Sequence, residues 1–111
     1  MQHQTSESSG TYYAVIFSSQ RTSGDNGYGE MADLMERLAA EQPGFIGAES
    51  VRDHSGSGIT VSYWESLEAI GNWKKNEEHR AAQEKGRQSW YQTYTIRICK
   101  VEREYSFNGE R

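Results

Sequence analysis

The chain of 111 residues carries a formal charge of −4 with acidic and basic residues interspersed, so no single-sign field exists to gather nucleic acid or an anionic membrane surface. Only 34% of residues are apolar while 12% are aromatic, which leaves the burial within one domain to a few large rings. The single cysteine, Cys99, excludes an intrachain disulfide and three scattered histidines lack the spacing of a zinc site, so no metal and a reducing, cytoplasmic setting are expected.

Residues 1–10, MQHQTSESSG, have neither the basic end nor the apolar run of a secretory signal. They read as a disordered N-terminal tail ahead of a domain over residues 11–106, with residues 107–111 as a C-terminal tail. Nothing approaches the ~18 consecutive apolar residues of a membrane-spanning helix. Residues 12–18, rich in aromatic and β-branched side chains, predict a strand, and the polar residues 19–29 a loop. Tyr28, Met31, Leu34, Met35 and Leu38 recur at helical spacing until Pro43-Gly44 stops the pattern. Residues 46–52 and 59–64 read as a hairpin around the turn-forming residues 53–58. Ser66 is placed to cap a helix bearing Leu67, Ile70 and Trp73, and Asn76 to cap its continuation, which predicts a kink near Lys75-Asn76. The last run, residues 93–103, reads as a long strand with a bulge.

The resulting order, βαββαβ, is the ferredoxin-like α+β arrangement with an antiparallel sheet. The first strand is apolar on both faces, Tyr13, Val15 and Phe17 on one and Tyr12, Ala14 and Ile16 on the other. Two helices cover one face only, so a second copy of the chain is expected on the other, as a homodimer.

His79, Ala82, Gln83, Gly86 and Trp90 fall in one stripe of the second helical region, and Trp64, Trp73 and Tyr94 approach the same space between helices and sheet. Indoles with an imidazole and an amide suit a flat, largely apolar ligand carrying a few polar groups. Taken singly, each tryptophan is more readily a core residue and His79 a surface or hydrogen-bonded one. Gly86 inside a helical run either ends the helix or admits a close neighbour. Residues 23–29 lack the lysine and hydroxyl of a phosphate loop, strand 59–64 lacks the pattern of an RNA-binding sheet, and Cys99 reads as an inert core thiol.

Residues 62–90, SYWESLEAIGNWKKNEEHRAAQEKGRQSW, resemble the antibiotic biosynthesis monooxygenase-like family, through Tyr63-Trp64-Glu65-Ser66-Leu67-Glu68-Ala69, Trp73, His79 and the Gly86 region, and more loosely over residues 12–105. The resemblance implies a dimeric α+β barrel with a pocket in each subunit. It also implies oxygenation of polycyclic aromatic substrates without metal or flavin, or, in other relatives, haem binding and degradation. Trp64-Glu65-Ser66 and Asn72-Trp73 match the haem-degrading pattern, but its axial histidine falls at Gln83 and the first strand has no matching asparagine. An amide is a poor ligand for haem iron, so no cofactor is expected and haem is disfavoured. The expected site has His79 as proton acceptor and Trp73 as a catalytic wall, with Trp64, Asn72, Gln83, Arg87, Trp90 and Tyr94 binding an aromatic or polyketide-type substrate. A non-catalytic dimer that sequesters a small apolar ligand is the competing expectation.

Overall fold

A computed structural model of the chain describes residues 5–7 and 11–109. Its elements are β1 (Thr5–Glu7), β2 (Tyr12–Arg21), α1 (Tyr28–Ala40), β3 (Phe45–Arg52), β4 (Ser57–Trp64), α2 (Leu67–Lys75), α3 (Glu77–Lys85), a π-helical turn (Gly86–Trp90), β5 (Tyr91–Val101) and β6 (Tyr105–Phe107). Strands β2 to β5 form one antiparallel sheet in the order β3-β4-β2-β5, and β1 pairs with β6 in a separate two-stranded ribbon. This is the ferredoxin-like α+β fold that the element order predicts. Of the first ten residues, Thr5–Glu7 pair with Tyr105–Phe107, and the remainder of the expected tail lies outside the described residues, as do residues 110–111.

Register decides which side chains meet the helices. Tyr13 lies opposite Trp64 and Lys100, Val15 opposite Ser62 and Ile98, and Phe17 opposite Thr60 and Ile96. Because side chains alternate along a strand, these residues share the helix-covered face, while Ile16, Val61, Tyr63, Val51 and Ile59 share the other. The buried centre is small: Trp64, Ala69 and Ile70, with Tyr13, Val15, Ala39, Phe45 and Trp73 packed around it.

Two local devices hold this centre. Gly44, at φ +87°, makes the turn between α1 and β3, and a Cβ there would stand 2.6 Å from the Cβ of Ala69; its carbonyl accepts from the Glu65 backbone N–H at 2.7 Å. Ser66 caps α2, its Oγ accepting from the Ala69 N–H at 3.0 Å. Ser66→Ala is expected to cost about 1 kcal/mol, read as a lower urea midpoint with an unchanged slope.

Three details differ from the sequence reading. The first strand runs on to Arg21, because Ser18 to Arg21 continue the ladder to β5. The irregularity of β5 sits at its start: Gln20 faces Thr93 and Arg21 faces Tyr91, leaving Gln92 as the extra residue. Ile96, Ile98, Cys99 and Val101 simply alternate, and a strand apolar on both faces needs no bulge among them. Cys99 is exposed rather than a core thiol, since β5 is an edge strand of the sheet.

Candidate functional site

Helix α1 contains no buried residue although Met31, Met35 and Ala39 form its inward stripe. The space beneath it is hollow. A cavity of about 680 Å³ lies between the sheet and the helices, within the size range of small-molecule sites. Met31, Met35 and Ala39 roof it, Val15, Phe17, Ser50, Thr60 and Ser62 floor it, and Trp64, Trp73, His79, Gln83, Trp90, Tyr91 and Tyr94 line its sides. The floor hydroxyls are committed locally: Ser50 and Thr60 share a hydrogen bond of 2.7 Å, and Ser62 Oγ accepts from the Trp64 indole at 2.9 Å.

The break between α2 and α3 shapes one end. Asn76 adopts φ −59°, ψ 128°, leaves the helix, and caps α3 by accepting from the Glu78 and His79 N–H groups at 3.0 and 3.1 Å. In an unbroken helix the Trp73 carbonyl would bond four residues on; here it accepts from the Asn76 N–H at 3.0 Å and meets His79 Nδ1 at 3.0 Å. A carbonyl only accepts, so Nδ1 carries the proton and Nε2 is left as the basic nitrogen. The imidazole stacks on the Trp73 indole with centroids 4.3 Å apart at 14°, and Trp73 stacks in turn on Trp64 at 6.3 Å. Burial holds the His79 pKa below its ordinary value, against the opposing carbonyl bond and with Lys74 adding to the depression, so the ring is neutral at pH 7.

The opposite end is phenolic. Phe17 stands 5.2 Å from both Tyr91 and Tyr94, and Tyr28 stands 5.9 Å from Trp90 and from Tyr91. The Trp90 indole donates to the Asn26 carbonyl at 2.9 Å and ties down the loop between β2 and α1. Gly86 both begins the π-helical turn and admits Tyr91, whose ring would lie 3.0 Å from any Cβ added there.

Six residues expected at the site therefore line one cavity: Trp64, Trp73, His79, Gln83, Trp90 and Tyr94. Asn72 does not, being exposed on α2, and Arg87 is also exposed, although its guanidinium donates to the Tyr94 hydroxyl at 3.4 Å. Sequence reasoning missed Tyr28, Met31 and Met35, which periodicity assigned to a packed stripe, and Tyr91, which sits at the start of β5 where no pattern marks it. Among the described residues no three His, Cys, Asp or Glu side chains converge as a metal-binding group, and no helix is long and apolar enough to cross a membrane. Gln83, at the axial position of the haem-degrading pattern, offers an amide, and the one imidazole of the lining is stacked flat on Trp73; this donor set does not fit haem at that position.

Residues 29–85 match the family model for antibiotic biosynthesis monooxygenase. The chain belongs to the antibiotic biosynthesis monooxygenase family. It is 57% identical over 96 residues to the uncharacterized protein YqjZ of Bacillus subtilis (strain 168), a match covering 86% of this chain and 84% of that one. Solved structures share the family fold at low identity. A putative antibiotic biosynthesis monooxygenase from Nitrosomonas europaea superposes with a TM-score of 0.68 at 8% identity, over 83% of this chain and 90% of that one. SnoaB, a cofactor-independent oxygenase from Streptomyces nogalater, superposes with a TM-score of 0.63 at 13% identity, over 84% of this chain and 92% of that one.

Proposed function

We propose that this family member is a cytoplasmic, cofactor-independent monooxygenase that oxidises an aromatic or polyketide-type small molecule. The observation that carries the reading is the neutral imidazole of His79, tautomerically fixed by the Trp73 carbonyl, on the wall of an indole-lined cavity. A methylene or phenol conjugated to several rings loses a proton to Nε2, and the delocalised anion passes an electron to dioxygen. Recombination and loss of water convert the methylene into a carbonyl, so that one CH2 and one O2 give one C=O and one H2O. Trp73 and Trp64 hold the ring plane, and Gln83, Trp90 and Tyr94 complete the walls. The description of SnoaB as a cofactor-independent oxygenase supports the same chemistry in a protein of this fold. An oxygen electrode tests the reading with anthrone and naphthoquinol probes. Uptake above the uncatalysed rate is expected, and none with any probe would overturn it.

The helix-free sheet face supports a homodimer in the same reading. Val51 is 73% and Ile59 44% exposed there, beside the half-buried Ile16, Val61 and Tyr63, and a second copy related by a two-fold axis would cover them. Light scattering after size exclusion is expected to give twice the 12.7 kDa chain mass. Val51→Lys combined with Ile59→Lys is expected to shift that mass to the monomer, and a wild-type monomer at micromolar concentration would contradict the dimer.

A further inference from the structure

On the helix-free face the ladders join residues into straight rows that run from β3 through β4 and β2 to β5. One row is Glu49, Val61, Ile16, Arg97, and the next is Gly47, Tyr63, Ala14, Cys99. Among the ladder-paired residues of this face only Glu49 and Arg97 carry a charge, and they stand at opposite edges of the sheet. Three strand spacings, about 14 Å, separate them, so one chain cannot pair them with each other. Both are exposed, and Glu49 commits one carboxylate oxygen to the Tyr63 hydroxyl at 2.7 Å, which leaves the other for a cation.

The neighbouring row is uneven in bulk. Tyr63 stands beside the small, buried Ala14, and Gly47 ends the row with no side chain at all. Nothing within the protomer calls for that glycine: a Cβ there would meet no atom within 4 Å, and Gly47 is not among the glycines of positive φ.

Two sheets packed face to face stand about 10 Å apart with their strands within about 30° of each other. A two-fold axis between them runs either across the strands or along them. An axis across the strands sets β3 against β3 and β5 against β5, which gathers both Glu49 carboxylates at one edge and both Arg97 guanidinium groups at the other. An axis along the strands makes each row meet itself reversed. Arg97 then lies over the partner's Glu49 at both edges, Tyr63 lies over the partner's Ala14, and the room that Gly47 leaves receives the partner's Cys99. Charges at a rim set orientation more than affinity, so the apolar residues between them supply adhesion while the edges choose the register.

We infer that a second copy docks on this face with the two-fold axis along the strands, fixed in register by Glu49 against the partner's Arg97 and by Gly47 against the partner's Cys99. The inference rests on the homodimer reading and deepens it, by assigning which edge of one sheet meets which edge of the other.

Charge exchange tests it, with sedimentation velocity of the full chain over a dilution series and circular dichroism to confirm each fold. Glu49→Arg and Arg97→Glu place like charges together twice per dimer, and each is expected to raise the dimer Kd about 10²-fold. The two substitutions combined are expected to return it to within a few-fold of the wild type, and added salt to narrow the differences. Bis-maleimidoethane reads the register separately. Gly47→Cys, which the open space around that position tolerates, is expected to be cross-linked to the partner's Cys99 and to run at twice the chain mass under denaturing conditions, whereas the wild-type protein is not cross-linked. A combined variant no tighter than the single ones, or a wild-type protein cross-linked through Cys99 alone, overturns this register even where a dimer persists. A wild-type monomer at micromolar concentration removes the homodimer reading itself and the register with it.

Discussion

His79→Ala is expected to lower kcat for anthrone oxygenation by about 10²–10⁴-fold, the range in which a positioned general base contributes. The loss should appear mainly in kcat, because the Trp64 and Trp73 walls that hold the ring plane remain. Burial sets the pH behaviour. With the folded-state pKa below the ordinary 6.5, the imidazole is already a free base at neutral pH, so the acid limb of kcat/KM is expected to fall away below pH 6.5. The same depression acts on stability. As pH drops below 6.5 the unfolded chain takes up a proton that the folded chain does not, so the contribution present at pH 7 is lost as pH falls through the folded value. Denaturant midpoints between pH 7 and 5 should therefore fall more steeply in the wild type than in His79→Ala. A variant that turns over at the wild-type rate would remove His79 as the proton acceptor.

The largest loss of stability is expected from Trp64→Ala, at about 3–5 kcal/mol. Trp64 is 1% exposed, meets the Phe45 ring at 5.3 Å and the Trp73 ring at 6.3 Å, and satisfies its indole N–H on Ser62. The cost is near the top of the range for its size because the site has little means to collapse. A hollow already lies beside it, so the deleted ring would enlarge the existing void rather than be filled by neighbours. Against a total stability of about 5–15 kcal/mol for a domain of this size, that loss takes a large share. Equilibrium urea unfolding measures it, and a change below about 1 kcal/mol would mean that the cavity wall repacks around the gap.

Elements with a local chemical signature were legible in the sequence. Ser66 and Asn76 announced their caps and the break between α2 and α3, and Pro43-Gly44 announced the turn that docks on Ala69. The indoles were legible as a cluster because helical spacing placed Trp73, His79, Gln83 and Trp90 near the strand carrying Trp64. What spacing could not convey was the difference between a packed stripe and a roof. Met31 and Met35 have the periodicity of core residues, and only the distance between α1 and the sheet decides that they cover a hollow. Nor does any local pattern report that Trp73 offers its carbonyl to His79, since that bond exists only because the helix breaks one residue before α3 begins. Tyr28 begins α1 and Tyr91 begins β5, segments far apart in the chain, and only the packing of α1 against the sheet brings their rings to 5.9 Å. Cys99 was misplaced for a related reason: an alternating apolar strand looks the same at an edge as at the centre of a sheet.

Isotope labelling tests the central claim most directly. With anthrone as substrate, in the presence of chelator and without added flavin, turnover under ¹⁸O2 is expected to give a quinone carrying one labelled oxygen atom, with the second label in water. A quinone without label, or no enzyme-dependent oxidation at all, would contradict an oxygenase that works from a half-buried, neutral His79 alone.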